Sequence, residues 1–148
     1  MAIKEIANNR KARHDYFIED TIEAGIVLYG TEIKSIRNGK ASFNDAYISF
    51  YKGEAILKGL HISAYSHGNR FNHDEDRERK LLLHKREITK LFTKSKVQNY
   101  TIVPLRLYLK DGLAKVEIAL AKGKNLYDKR ESDKIASMKR EIEKAVKY

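Results

Sequence analysis

A chain of 148 residues suits one domain with a real core and leaves little room for a second. It contains no cysteine, which excludes a disulfide framework, a thiolate metal site and a cysteine nucleophile, and favours a reducing compartment. Thirty Lys and Arg against twenty Asp and Glu give a formal charge of +10, so a polyanion is the first partner to consider, with an ordinary solvated basic surface as the alternative.

The opening residues lack the apolar run of a signal peptide, and no segment approaches the ~18 apolar residues that cross a bilayer. A cytoplasmic protein with no membrane partner is expected. Residues 14–30 hold two short runs rich in Ile, Val, Tyr and Phe that read as strands. Thr31 as a cap, Ile33 and Ile36 three apart, and Gly39 as a stop predict a short helix. Residues 45–51 and 54–62 flank Lys52-Gly53 as a hairpin. Residues 64–80, rich in turn formers and charge, read as a long polar loop, and the core resumes at Leu81. Ile88, Leu91 and Phe92 predict a basic amphipathic helix over 84–96.

The clearest hairpin follows: Val103, Leu105, Leu107 and Leu109 alternate, Asp111-Gly112 turns, and Val116, Ile118 and Leu120 alternate again. Pro104 lacks an N–H, so it predicts an edge or a bulge in the first of these strands. About six strands and two helices without βαβ alternation predict a mainly β fold with helices. The expected form is an OB-like antiparallel β-barrel with flanking short helices and a C-terminal tail that is disordered or helical on binding. The barrel is expected over 1–124 and the basic tail over 125–148.

No spacing of His, Asp and Glu matches a metal motif, the stretch Asn38–Ser42 lacks the residues of a phosphate-binding loop, and no nucleophile sits in a catalytic signature. No cofactor or metal is expected, and the chain reads as a non-enzyme. What remains is basic clusters: one over residues 8–14 with Asn9, Arg10, Lys11 and Arg13; one of Lys34, Arg37 and Lys40; one of Arg77, Arg79, Lys80, Lys85 and Arg86; and Lys115, Lys122 and Lys124. Converging on one barrel, they would neutralise a phosphate backbone with an affinity that falls steeply with salt.

Four blocks carry a family resemblance: N-R-K-A-R-H-D-Y-F-I-E from Asn9 to Glu19, E-A-G-I-V-L-Y-G-T-E-I-K-S-I-R-N-G-K-A from Glu23 to Ala41, R-K-L-L-L-H-K-R-E-I from Arg79 to Ile88, and K-V-E-I-A-L-A-K-G-K-N-L-Y-D-K-R from Lys115 to Arg130. In order and across nearly the whole chain, they resemble the bacterial small protein B family (SmpB), which binds transfer-messenger RNA. The resemblance implies a monomeric barrel that grips the tRNA-like domain near its elbow. The complex enters stalled ribosomes, and the protein stands in for the missing anticodon arm. Asn9, Glu23, Leu82 and Lys115 match positions tied to RNA binding, with Arg37 and neighbouring lysines as phosphate contacts. Glu23 reads equally as structural, since a carboxylate must accept from a base or ribose hydroxyl or hold a basic neighbour. Leu82 reads equally as core.

Tyr127, Asp128, Lys129 and Arg130 open the tail, where some family members have His in place of Tyr127; either ring can stack on a base. Beyond them Ile135, Met138, Ile142 and Val146 keep helical spacing, with Lys134, Lys139 and Arg140 among the cations. This tail is expected to become helical in the vacant message channel, against rRNA; a helix docked on the barrel is the alternative. The competing reading of the whole chain is a structural ribosomal protein whose basic tail threads rRNA.

Overall fold

In the hairpin at the centre of the fold, β6 (Thr101–Lys110) and β7 (Leu113–Gly123) meet through Asp111 and Gly112, both at positive φ (51° and 84°), the backbone of a two-residue hairpin turn. The structure is a computed structural model that describes residues 3–65 and 72–124. The alternating leucines of β6 serve two cores. A bulge between Pro104 and Arg106 shifts the pairing with β7, so Leu107 and Leu109 face the main core while Val103 and Leu105 face a smaller one on the other side. Pro104 therefore marks a bulge as expected. It does not mark an edge, because β6 lies between β1 and β7.

The other elements are β1 (Ile3–Asn8), α1 (Arg10–Asp15), β2 (Tyr16–Ile26), α2 (Gly30–Arg37), β3 (Ala41–Tyr51), β4 (Glu54–Ile62), β5 (Arg79–Leu82) and α3 (Lys85–Val97). The seven strands form one antiparallel sheet in the order β1-β6-β7-β2-β5-β4-β3, and β3 comes round against β1 and β6 to nearly close the OB-like barrel. Leu57, Leu60, Ile62, Leu107, Ile118 and Leu120 fill the interior, with Ile36 of α2 and Leu91 of α3 joining them. Each such side chain contributes roughly 1.5–3 kcal/mol by leaving water. Among the described residues no helix is long and apolar enough to cross a membrane.

Four expectations are corrected. The two runs in residues 14–30 are one strand, β2, bent by a bulge between Ile18 and Asp20. The cap of α2 is Tyr29, not Thr31. There are seven strands and three helices among the described residues: merging the two runs leaves five of the six expected strands, and β1, β5 and α1 are additional. β1 exposes Ile3, Lys4 and Glu5, and α1 buries only Ala12, so neither writes a periodic apolar pattern. Finally, the described part of the loop before β5 is not wholly solvated: His73 is buried, its ring bonded to Thr31 (2.9 Å) and to the Ile62 carbonyl (2.8 Å).

Candidate nucleic-acid interface

On the outer face of the sheet, cross-strand pairing lines up Leu82 of β5, Gly25 of β2, Lys115 of β7 and Tyr108 of β6. Glu23, two residues before Gly25, falls on the same face because strand side chains alternate. A groove of about 380 Å³ results, lined by Glu23, Gly25, Leu82, His84, Glu87 and Lys115 among others. Gly25 is its floor: a β-carbon there would stand 3.2 Å from Cβ of Leu82. Leu82 is 54% exposed, so its side chain belongs to the groove and not to the core. Three of the residues expected at an RNA site, widely separated in sequence, thus share one concavity.

Glu23 accepts a hydrogen bond from the Tyr108 hydroxyl and another from Lys110 Nζ at 3.5 Å. The Tyr108 bond is the main reason its carboxyl titrates below the usual range; partial desolvation opposes this, and Lys110 and Lys115 add to it. Burial and the Glu23 carboxylate push the Tyr108 phenol upward in turn. The pair therefore presents a fixed carboxylate with lone pairs to spare, suited to a ribose hydroxyl or a base amino group. Arg106 lies over the Tyr108 ring (4.6 Å) and pairs with Glu117 (3.1 Å), so this face mixes both signs of charge.

Residues 115, 117, 119 and 121 of β7 point the same way. Ala119 and Ala121 are covered by α1 through Ala12 and by Val103 and Leu105, so α1 lies on the groove's side of the sheet, about 13 Å along β7 from Lys115. Asn9 fastens it there. Its Oδ1 accepts from the Ala12 N–H (3.2 Å), its Nδ2 donates to the Pro104 carbonyl (2.8 Å), and its own N–H donates to the Leu105 carbonyl (2.8 Å). Asn9 is buried and spends its side chain on the fold, while Arg10, Lys11 and Arg13 are displayed; Lys11 holds Asp45 at 2.6 Å.

The third cluster divides. Arg79 is fully buried, its Nε 2.7 Å from Glu32, and Arg77 reaches the other oxygen of Glu32 at 2.6 Å while lying over the Tyr29 ring at 4.2 Å. Neither reads any longer as a free phosphate contact. Lys80 pairs with Glu54 at 2.7 Å. Lys85 and Arg86 stay exposed in the first turn of α3, where the helix dipole is already positive, an arrangement that disfavours folding but attracts an anion. On α2 and just after it, Arg37 and Lys40 are exposed, and Lys34 lies 5.5 Å from the Tyr65 ring. Lys122 and Lys124 lie over Tyr100 (5.4 Å) and Phe17 (5.1 Å). Tyr127, Asp128, Lys129, Arg130, Lys134, Lys139 and Arg140, with the helical spacing of the tail, lie outside the described residues.

Sequence reasoning missed Tyr108 and Lys110, which orient Glu23, and Gly25, which floors the groove. The lone signal was their even spacing on strands, visible once the register is known. Among the described residues no group of three or more His, Asp or Glu is arranged to hold a metal ion.

The family model described as SmpB protein matches residues 6–148. Similar curated proteins include the SsrA-binding protein of Geotalea uraniireducens (strain Rf4), 61% identical over 99% of this chain and 97% of the relative. That of Geobacillus thermodenitrificans (strain NG80-2) is 61% identical over 96% of this chain and 92% of the relative. A solved structure described as "tmRNA-SmpB: a journey to the center of the bacterial ribosome" is 46% identical, with a TM-score of 0.67 over 91% of this chain and 95% of its own. By its sequence over almost its full length and by its fold, the chain belongs to the SmpB family of SsrA-binding proteins.

Proposed function

We propose that the chain binds transfer-messenger RNA by its tRNA-like domain and delivers it to stalled ribosomes for trans-translation, acting by binding and not by catalysis. The observation that carries the choice of surface is the convergence of Glu23, Leu82 and Lys115, from three strands, on one exposed groove beside the basic helix α1. The relatives' names, SsrA-binding protein, and the tmRNA-SmpB complex with the ribosome support the choice of RNA. In this reading the barrel of residues 1–124 holds the RNA and stands in for its missing anticodon arm, with Arg10, Lys11, Arg13, Lys34, Arg37, Lys40, Lys85 and Arg86 near its phosphates. Residues 125–148 form a separate module that enters the empty message channel.

Ending the chain after Lys124 separates the two roles. The truncated protein should bind a transcript of the tRNA-like domain with nearly full affinity and fail to rescue stalled ribosomes in a translation extract. A large loss of RNA affinity on truncation would contradict the division of labour. Failure of the full chain to prefer that transcript over a scrambled RNA of equal length would defeat the function itself.

A further inference from the structure

Away from the groove, two adjoining hollows of about 420 and 300 Å³ share Phe50 and make a trench beside α3. Ile88 and Phe92 of α3 and Tyr51, the last residue of β3, supply an apolar lining at one end, and Tyr100 lies at the other. Phe92 is fixed by an edge-on contact with Phe50 (5.7 Å, 82°) yet remains 42% exposed, and Tyr51 is 64% exposed. Each ring has an ammonium group close by: Lys52 at 5.3 Å from Tyr51, Lys96 at 5.8 Å from Phe92, and Lys122 at 5.4 Å from Tyr100. No carboxylate lines either hollow.

At the Tyr51–Phe92 end, exposed ring faces, an apolar floor and the ammonium groups of Lys52 and Lys96 match the needs of an unpaired nucleotide, whose base stacks while its phosphate seeks a cation; at the other end the Tyr100 hydroxyl is held by Glu19. The trench and the proposed RNA groove are both bordered by the first turns of α3: His84 and Glu87 line the groove, Ile88, Thr89 and Phe92 the trench. We infer that the trench holds unpaired nucleotides of the same transfer-messenger RNA that occupies the Glu23–Leu82–Lys115 groove. The inference rests on the function proposed above and adds a second, stacking contact to it.

The test uses the full chain and a transcript of the tRNA-like domain, with scrambled RNA of equal length as control. Tyr51→Ser removes an exposed ring without disturbing packing, and Phe92→Leu keeps the apolar contact with Phe50 while removing the stacking face; melting curves confirm both are folded. Each should weaken binding of the transcript by about tenfold, and a photo-crosslinking phenylalanine derivative in place of Tyr51 should attach to unpaired nucleotides. Affinity of Tyr51→Ser within twofold of the parent, or crosslinks confined to helical RNA, overturns the inference while wild-type preference for the transcript leaves the function standing. Unchanged RNA affinity with lost ribosome binding also overturns it, making the trench a ribosome-facing surface. No wild-type preference for the transcript brings down both.

Discussion

The carboxylate of Glu32 lies 2.7 Å from Nε of Arg79, and neither side chain exposes any surface. Arg77 and the Tyr29 N–H complete the shell around Glu32, and Arg79 also donates to the Leu60 carbonyl and, at 3.2 Å, to that of Glu75. This network ties α2, with Lys34 and Arg37, to the loop before β5. Burial pushes the Glu32 carboxyl upward, but the bonds from Arg77, Tyr29 and Arg79 outweigh it and leave the group below its usual range.

Glu32→Gln should therefore cost roughly 3–5 kcal/mol, because it strands a buried guanidinium. The sign of the pH dependence follows from the lowered carboxyl. Stability from Glu32 is fully present above its unfolded value of about 4.3 and is lost as pH falls through the lower folded value. Urea unfolding from pH 7 to pH 3 should show the gap between parent and variant closing only below about pH 4. A constant gap would mean that the Glu32 carboxyl titrates in the folded protein as it does in the unfolded one, and a gap that widens from pH 7 downward would mean that it is uncharged in the folded protein.

The Tyr108 hydroxyl is the clamp on Glu23, so Tyr108→Phe should cost about 1 kcal/mol of stability. It should let the Glu23 carboxyl rise toward the ordinary range, followed by an NMR titration of Glu23 against Lys110, Lys115, Arg106, Glu117, Glu87 and His84, the charged and titratable groups around it. Affinity for the tRNA-like transcript should fall several-fold, and adding Glu23→Gln should reduce it little further. Additive losses would separate the tyrosine from the carboxylate.

Gly59 carries φ +86°, and a β-carbon on it would come within 2.6 Å of both the Ala46 Cα and the Asn44 carbonyl. Those are backbone atoms at the β3 bulge, where Asp45 is itself at φ 50°, so nothing can move aside cheaply. Gly59→Ala should destabilise the protein by roughly 3 kcal/mol, read as a lower melting temperature and early exchange of the β3–β4 amides.

How far the sequence could be read depended on where the signal was local. The β6–β7 and β3–β4 hairpins were legible because alternation and a turn dipeptide sit side by side, and α3 because Ile88, Leu91 and Phe92 repeat at helical spacing. The Glu32–Arg79 pair was not: its members are 47 residues apart, and an arginine in a charged loop looks like surface until its partner is known. Asn9 is expected as an RNA contact; in the fold its side chain caps α1 at the Ala12 N–H, a local bond, while its bonds to Pro104 and Leu105 depend on the distant β6 bulge. Glu23, Leu82 and Lys115 entered through family resemblance, and only the strand register explains why they belong together.

Arg37 and Lys40 are both exposed, at the end of α2 and just beyond it, where Gly39 turns the chain at φ 73°. Neither contributes to the core, so replacing both with glutamate should leave the melting temperature within a few degrees. If they lie against phosphates, each lost contact removes about one released counterion, and the slope of log affinity against log salt should become shallower by about 1–2. Titrations of the tRNA-like transcript at several salt concentrations measure this directly. A weaker affinity with an unchanged slope would show that the pair acts at long range and not in contact, and α2 would then have to be removed from the RNA-facing surface.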